Sequence, residues 1–237
     1  MLGVKYYGHK PRKINMKLYV GFESTWSLRS WICAQISKLE INTHVLPLNG
    51  EGYKSNLIDI TRTGFVPALD TGEFLISDSL AIAEYLNERS EGALYPNGIK
   101  ERSIARSLVC ELHSGFINLR TSCPFSTGVV NPANRDYKII SELERLDVIF
   151  SQAKNEFMFN TPTAVDAFYS ILAYRLHAYG IIFSGEAGKY QKSLLNWSLL
   201  QRAIDVNIEW GSNARNSREE FTRGHALAKE EYDDTHP

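Results

Sequence analysis

No charge of one sign dominates this chain of 237 residues: 26 Lys and Arg stand against 27 Asp and Glu, a formal net charge of -1. That balance gives no electrostatic reason to expect nucleic acid or an anionic membrane as a partner. No run approaches the roughly 20 apolar residues needed to cross a bilayer, so no membrane segment is expected. Cysteine is sparse. Cys33, Cys110 and Cys123 have no metal-ligand spacing and cannot all pair with one another, which fits reduced thiols in a cytoplasmic protein without a metal site. The front of the chain, 1–16, carries Lys5, Lys10, Arg12 and Lys13 and no acid. It lacks the continuous apolar stretch of a signal peptide and reads as a short basic extension. Internal repeats and low-complexity tracts are missing as well.

What is present is the composition of a globular protein, 43% hydrophobic and 11% aromatic, with length enough for one large core or two smaller ones. From 17 to about 90, short β-rich runs alternate with helical ones: "KLYVGF", "LRSWICAQISKLE", "NTHVLPL", then a loop region, then "GFVPALD", "GEFLIS" and "DSLAIAEYLNER". That alternation predicts a small α/β unit, with Thr71-Gly72 as a tight hairpin turn between its last two strands. A Gly/Pro-rich linker follows at 91–99, and beyond it strand signals fade. In "ERSIARSLVCELHSGFINLR", Ile104, Leu108, Leu112, Phe116 and Leu119 recur at spacings of four and three and predict one apolar stripe on one helix. Further helical runs extend the all-helical domain over 100–212. A polar tail, 213–237, is expected to be loosely held, with Ser217 and Glu220 spaced for a capping box.

Three local features bear on function. In "GFESTWSLRSW", Ser24, Thr25 and Ser27 stand where a short strand turns into an apolar helix. Ser27 is placed to cap that helix, leaving Ser24 spare for a ligand. Val66-Pro67 opens the run "VPAL". Proline removes a ladder donor, so the dipeptide is either a plain strand start or a cis bend that turns Val66 outward as an unpaired edge, open to an extended peptide. Asp78 and Ser79 precede an apolar helix. They either simply cap it or hold a group bearing both charges, the carboxylate at the helix N-terminus and the ammonium at Asp78.

In this order, ahead of a helical half, "STWS", "VPAL" and "DSLAIAEYL" resemble the cytosolic glutathione transferases. The likeness is to a serine-type bacterial, zeta-like subgroup, whose usual S-S-W-S-L-R-P-W stands here as "STWSLRSW". "TPTAVDAFYSILAYRLHAYG" looks like the family's core helix, with Thr163 and Asp166 as its capping box. The resemblance covers roughly 17–211. It implies a thioredoxin-like glutathione-binding domain over 17–90, a helical domain over 100–212, and a cytoplasmic homodimer with glutathione as co-substrate and no metal. Under it, Ser24 is the catalytic hydroxyl, donating to the glutathione sulfur and favouring thiolate, with Thr25 as the fallback donor. A free thiol near pKa 8.5 is mostly protonated at neutral pH, so each unit of depression is worth about 1.4 kcal/mol. Val66, beside Pro67, would pair with the cysteinyl part, and Asp78 and Ser79 would hold the γ-glutamyl head. Trp26, His113, Phe116, Arg120 and Tyr174 would wall the pocket for a small apolar electrophile.

The expected activity is conjugation of glutathione to an electrophilic carbon, in detoxification. The alternatives are glutathione-dependent cis-trans isomerisation of a maleyl-type substrate and a noncatalytic binding module of the same fold. Two residues depart from the family pattern. Glu23 would raise the thiol pKa if aimed at the sulfur. Phe65 stands where the family commonly has Lys, Arg or Gln for the glycyl carboxylate, leaving Arg62, Lys54 or His44 as candidates for that contact. Weaker glutathione binding is expected. The absence of cysteine at position 24 argues against the redox branch, and Cys33, within "WICAQI", reads as core.

Overall fold

The computed structural model describes residues 15–50, 52–128, 130–132 and 137–212. The basic extension up to 14 and the tail from 213, with its expected Ser217–Glu220 box, lie outside the described residues. The first half runs β1 (Met16–Val20), α1 (Thr25–Ser37), β2 (Ile41–Val45), α2 (Tyr53–Thr61), β3 (Ala68–Asp70), β4 (Leu75–Ser77) and α3 (Ser79–Arg89). Its strands form one mixed sheet in the order β2-β1-β3-β4. β1 is parallel to β2, and β3 is antiparallel to both β1 and β4. A parallel neighbour needs a crossover connection, and α1 supplies it. On β1, Met16, Leu18 and Val20 point into the core while the residues between them stay half-buried, the period of two that one covered face imposes. The β3–β4 turn has its expected chemistry. Gly72 takes a φ of 83°, and the Thr71 hydroxyl oxygen accepts from the backbone N–H of Phe74 and Glu73.

The second half is helical: α4 (Ile99–Ser114), α5 (Ile117–Ser122), α6 (Tyr137–Phe150), α7 (Ala164–Ala178) and α8 (Gly185–Asn196), then α9 over 198–212. The centre is α7, almost wholly buried, with Val165, Phe168, Ile171 and Leu176 in the core. A helix apolar all round needs packing on every side. Accordingly α1, α4 and α8 each lie against it.

The start of α7 is fixed by one carboxylate. Thr163 and Asp166 form the expected capping box. Asp166 Oδ2 accepts from the Thr163 N–H at 2.8 Å and the Thr163 hydroxyl at 2.9 Å. Its Oδ1 accepts from the Met158 N–H and the Tyr190 hydroxyl, both at 2.8 Å. Burial nevertheless raises the Asp166 pKa against those four donors. From α7, the Tyr169 hydroxyl donates to the Leu108 carbonyl on α4 at 2.9 Å, and the Phe168 carbonyl accepts from Arg29 Nε on α1 at 3.3 Å. The core helix therefore holds the two elements that flank the cleft between the domains.

Two expectations are corrected. The stretch read as loop after "NTHVLPL" contains α2, a helix that buries only Leu57 and Thr61 and so carries little apolar periodicity. The single helix expected over 101–120 breaks at Gly115. A Cβ there would meet the Glu111 carbonyl oxygen at 2.6 Å, and Phe116 follows in the left-handed region with φ of 54°. Glu142 of α6 caps the new start, accepting from the N–H groups of Asn118 and Leu119. The stripe shifts with the break: Ile104 is exposed, and Ala105 and Val109 are buried in its place.

Asp166→Ala should cost roughly 3–5 kcal/mol in denaturant unfolding, because four donors lose a buried acceptor. A loss under about 1.5 kcal/mol would mean that water replaces the carboxylate.

Candidate functional site

α1 begins at Thr25, not at Ser27, and this corrects the reading of the hydroxyl run. Ser24 is the N-cap, with extended φ and ψ of -81° and 102°, and its Oγ accepts from the Ser27 N–H at 3.2 Å. It is not spare. Ser27 lies inside the helix, fully buried, and its hydroxyl oxygen accepts from the Gly21 N–H at 3.2 Å. Capping uses one lone pair of Ser24, however. A hydroxyl has two lone pairs and one proton, and no described residue accepts that proton. Thr25 is buried in the first turn. Glu23, at φ of 61°, is exposed, and its N–H donates to Asn207 Oδ1 on α9 at 3.0 Å. Asn207 thus fixes the turn that presents Ser24, a role with no local sequence signal because its partner lies in the other domain.

A cavity of about 370 Å³ opens beside this turn, lined by Trp26, Thr63, Phe65, Val66, Pro67, Ser77, Asp78, Ser79 and His113. The Val66-Pro67 bond is cis. β3 starts only at Ala68, and Val66 makes no backbone hydrogen bond among the described residues, so its N–H and C=O are open to a ligand. Asp78, at φ of 82°, caps α3: its Oδ1 accepts from the N–H of Leu80 at 2.8 Å and of Ala81 at 3.4 Å. Its Oδ2 lies 3.2 Å from His113 Nε2 on α4. Ser79 opens α3 with its hydroxyl buried and without a partner among the described residues. A buried hydroxyl costs free energy unless it is hydrogen-bonded, and here it stands in the wall of a cavity at the positive end of a helix.

The expected electrophile wall is only partly assembled. Trp26 and His113 line the cavity with ring centroids 5.1 Å apart. Arg120 lies 4.9 Å over Trp26 and donates to the Gly115 carbonyl. Phe116 instead turns into the core, because the Gly115 break reverses its direction. Tyr174 lines a separate groove of about 490 Å³ with residues of α8 and α9. Among the candidate cations for a distal carboxylate, Arg62, Lys54 and His44 do not line the cavity. His44 stacks on Tyr19 with centroids 5.7 Å apart, on the edge strand farthest from β4.

Behind Trp26 is a feature that sequence reading missed. Arg29 is fully buried, with both terminal nitrogens unpartnered among the described residues and its guanidinium 4.3 Å over Trp26. Burial, then repulsion from Arg175 and Arg120, drives its pKa well down. Arg175 donates to the carbonyls of Arg120 and Cys123; burial, then repulsion from Arg120, lowers its pKa to about 10. Two guanidinium groups, Arg29 and Arg120, therefore lie against one indole, with Arg175 close enough to repel both. Among the described residues they meet no carboxylate. Cys33 is core, its thiol pKa raised by burial, and no group of metal-ligating residues occurs among the described residues.

Residues 23–89 match the family model described as the glutathione S-transferase N-terminal domain. A zeta class glutathione S-transferase of Euphorbia esula is 37% identical over 97 residues, a match spanning 40% of this chain and 43% of that relative. Among solved structures, a Burkholderia glutathione transferase homolog with bound glutathione aligns at a TM-score of 0.61 and 19% identity, over 82% of this chain and 98% of that one. A maleyl pyruvate isomerase, a bacterial zeta-class glutathione S-transferase, aligns at 0.60 and 18%, over 79% and 95%. A diazinon-metabolizing glutathione S-transferase of the silkworm Bombyx mori aligns at 0.66 and 19%, over 83% and 98%. The chain thus has the glutathione transferase fold, a thioredoxin-like α/β domain followed by helices, and its N-terminal domain carries that family's sequence pattern.

Replacing a buried, unpaired charge by an apolar residue of similar length should not destabilise the fold. Arg29→Met should leave unfolding stability within about 1 kcal/mol of the parent, or raise it. A loss beyond about 3 kcal/mol would show that the guanidinium's contacts to the Phe168 carbonyl and Trp26 outweigh the cost of its burial.

Proposed function

We propose that this chain transfers glutathione: it holds the tripeptide along Val66, favours its thiolate beside Ser24, and directs the sulfur at an electrophilic carbon. The observation that carries the reading is the Ser79 hydroxyl, buried without a partner in the cavity wall, next to the Asp78 carboxylate and the open backbone of Val66. A γ-glutamyl head has the matching groups. Its carboxylate takes the Ser79 hydroxyl and the Ser79 N–H at the α3 start, and its ammonium takes Asp78. The cysteinyl backbone pairs with Val66 as an added strand would.

Ser24 then acts with the proton that capping leaves free. Its O–H donates to the sulfur, and with the positive end of α1 it lowers the thiol pKa by favouring the charged form. The thiol proton leaves to solvent, and the sulfur pair forms a bond to carbon as the leaving group departs or an unsaturated carbon accepts the electrons. Glu23, being exposed, adds little opposing charge across water. Thr25 remains the fallback donor. A cytoplasmic homodimer accompanies this reading, supported by the family likeness.

A second reading draws on the guanidinium cluster. Arg29, Arg120 and Arg175 leave uncompensated positive charge behind Trp26, which favours an electrophile bearing a carboxylate. A maleyl-type acid isomerised through reversible glutathione addition fits that field better than a neutral aryl halide does. Turnover of such an acid without consumption of glutathione would establish it, and stoichiometric conjugate would exclude it.

Ser24→Gly and Ser24→Ala separate the two duties of the side chain. Both should lower kcat/KM about 10- to 100-fold at neutral pH, from a rise of one to two units in the bound thiol pKa. Only the alanine variant should lose about 1 kcal/mol of stability, since glycine caps a helix nearly as well as serine. Full activity in either variant, with glutathione still bound, would remove Ser24 from the mechanism.

A further inference from the structure

We infer that this site reads only the γ-glutamylcysteinyl part of its thiol substrate and that Phe65 leaves the far end unread. The site would then take γ-glutamyl thiols whether or not their C-terminus is charged: γ-glutamylcysteine and C-terminally blocked glutathione as well as glutathione itself. The inference rests on the thiol-binding reading above and deepens it.

The cavity is chemically lopsided. Its polar groups gather at the β4–α3 junction, where Asp78, Ser79 and His113 meet. Ser77 sits opposite Ala68 in the sheet, and from that pair the chain leads back through Pro67, across the cis bond to Val66, and on to Phe65. A peptide lying on Val66 with its head at Ser79 therefore meets Phe65 and Thr63 with its other end. Phe65 is 76% exposed and has no group that can neutralise a carboxylate. No lining residue is a lysine or an arginine. His113, the one lining side chain able to become cationic, is engaged by Asp78 at the opposite end. Arg62 terminates α2 in a left-handed conformation and stays outside the wall. A distal carboxylate in this cavity keeps its water and gains no charge-assisted hydrogen bond.

Calorimetric titration of the full chain with glutathione, its glycyl monoethyl ester, γ-glutamylcysteine and cysteinylglycine tests this. The first three should bind within about threefold of one another, and cysteinylglycine, which lacks the γ-glutamyl head, should bind at least about tenfold more weakly. Because Phe65 is exposed, Phe65→Arg should fold normally and favour glutathione over the ester by about tenfold. A tenfold preference of the parent protein for glutathione over its ester would overturn this inference alone. So would a Phe65→Arg protein that still does not discriminate. Binding of none of the γ-glutamyl thiols would overturn both this inference and the glutathione reading.

Discussion

The Asp166 carboxylate is the constraint from which the placement of the site follows. It gathers donors from the loop before α7, from the first turn of α7 and from α8, and so sets the depth at which the core helix enters the protein. From there, position passes outward through two polar contacts. Arg29 meets the Phe168 carbonyl and ties down α1, while Tyr169 meets the Leu108 carbonyl and ties down α4. α1 carries Ser24 and Trp26, and α4 carries His113. A group buried in one domain thereby aligns two walls of a cavity whose other walls are the loop before β3 and the β4–α3 junction. Close packing transmits such placement with little slack, because interiors have few voids into which a helix could shift.

Asp78 makes the second junction. One of its oxygens caps α3 and the other meets His113 from the opposite domain. A carboxylate with both oxygens committed is held in one rotamer, and that fixity is what a recognition group requires. Ser79 is the complement. Its hydroxyl is buried and left unsatisfied in a residue that lines the cavity. A buried polar group without a partner is costly, and such breaches of local rules concentrate at functional sites in proteins generally. The guanidinium cluster around Trp26 is a breach of the same kind, since burying one cation beside two others is unfavourable without a counter-charge.

Much of the fold was legible because it follows from periodicity and from local chemistry. The β1–α1–β2 alternation, the Thr71-Gly72 turn, the helical second half and the Thr163–Asp166 box all rest on residues close together in sequence. α2 was not legible, because it hides only Leu57 and Thr61 and its pattern resembles a polar loop. The break at Gly115 was missed because the apolar spacing carries on past it. Only the approach of the Glu111 carbonyl shows why a glycine stands there. At the site, Val66, Asp78, Ser79, Trp26 and His113 were named through the family resemblance, and they line one cavity. Phe116 and Tyr174 were named with them and lie elsewhere, Phe116 in the core at the break after Gly115 and Tyr174 in the groove against α8 and α9.

The sequence by itself determined the two-part architecture and the residue types at the cavity. Each is written in patterns a few residues long. Tertiary structure alone decided the rest: that Asn207 steadies the turn before Ser24, and that Arg29 and Arg120 meet at Trp26 with Arg175 beside them. Those facts join residues more than fifty positions apart, and no local propensity records them. They exist only once burial of the core helix has brought the two domains together.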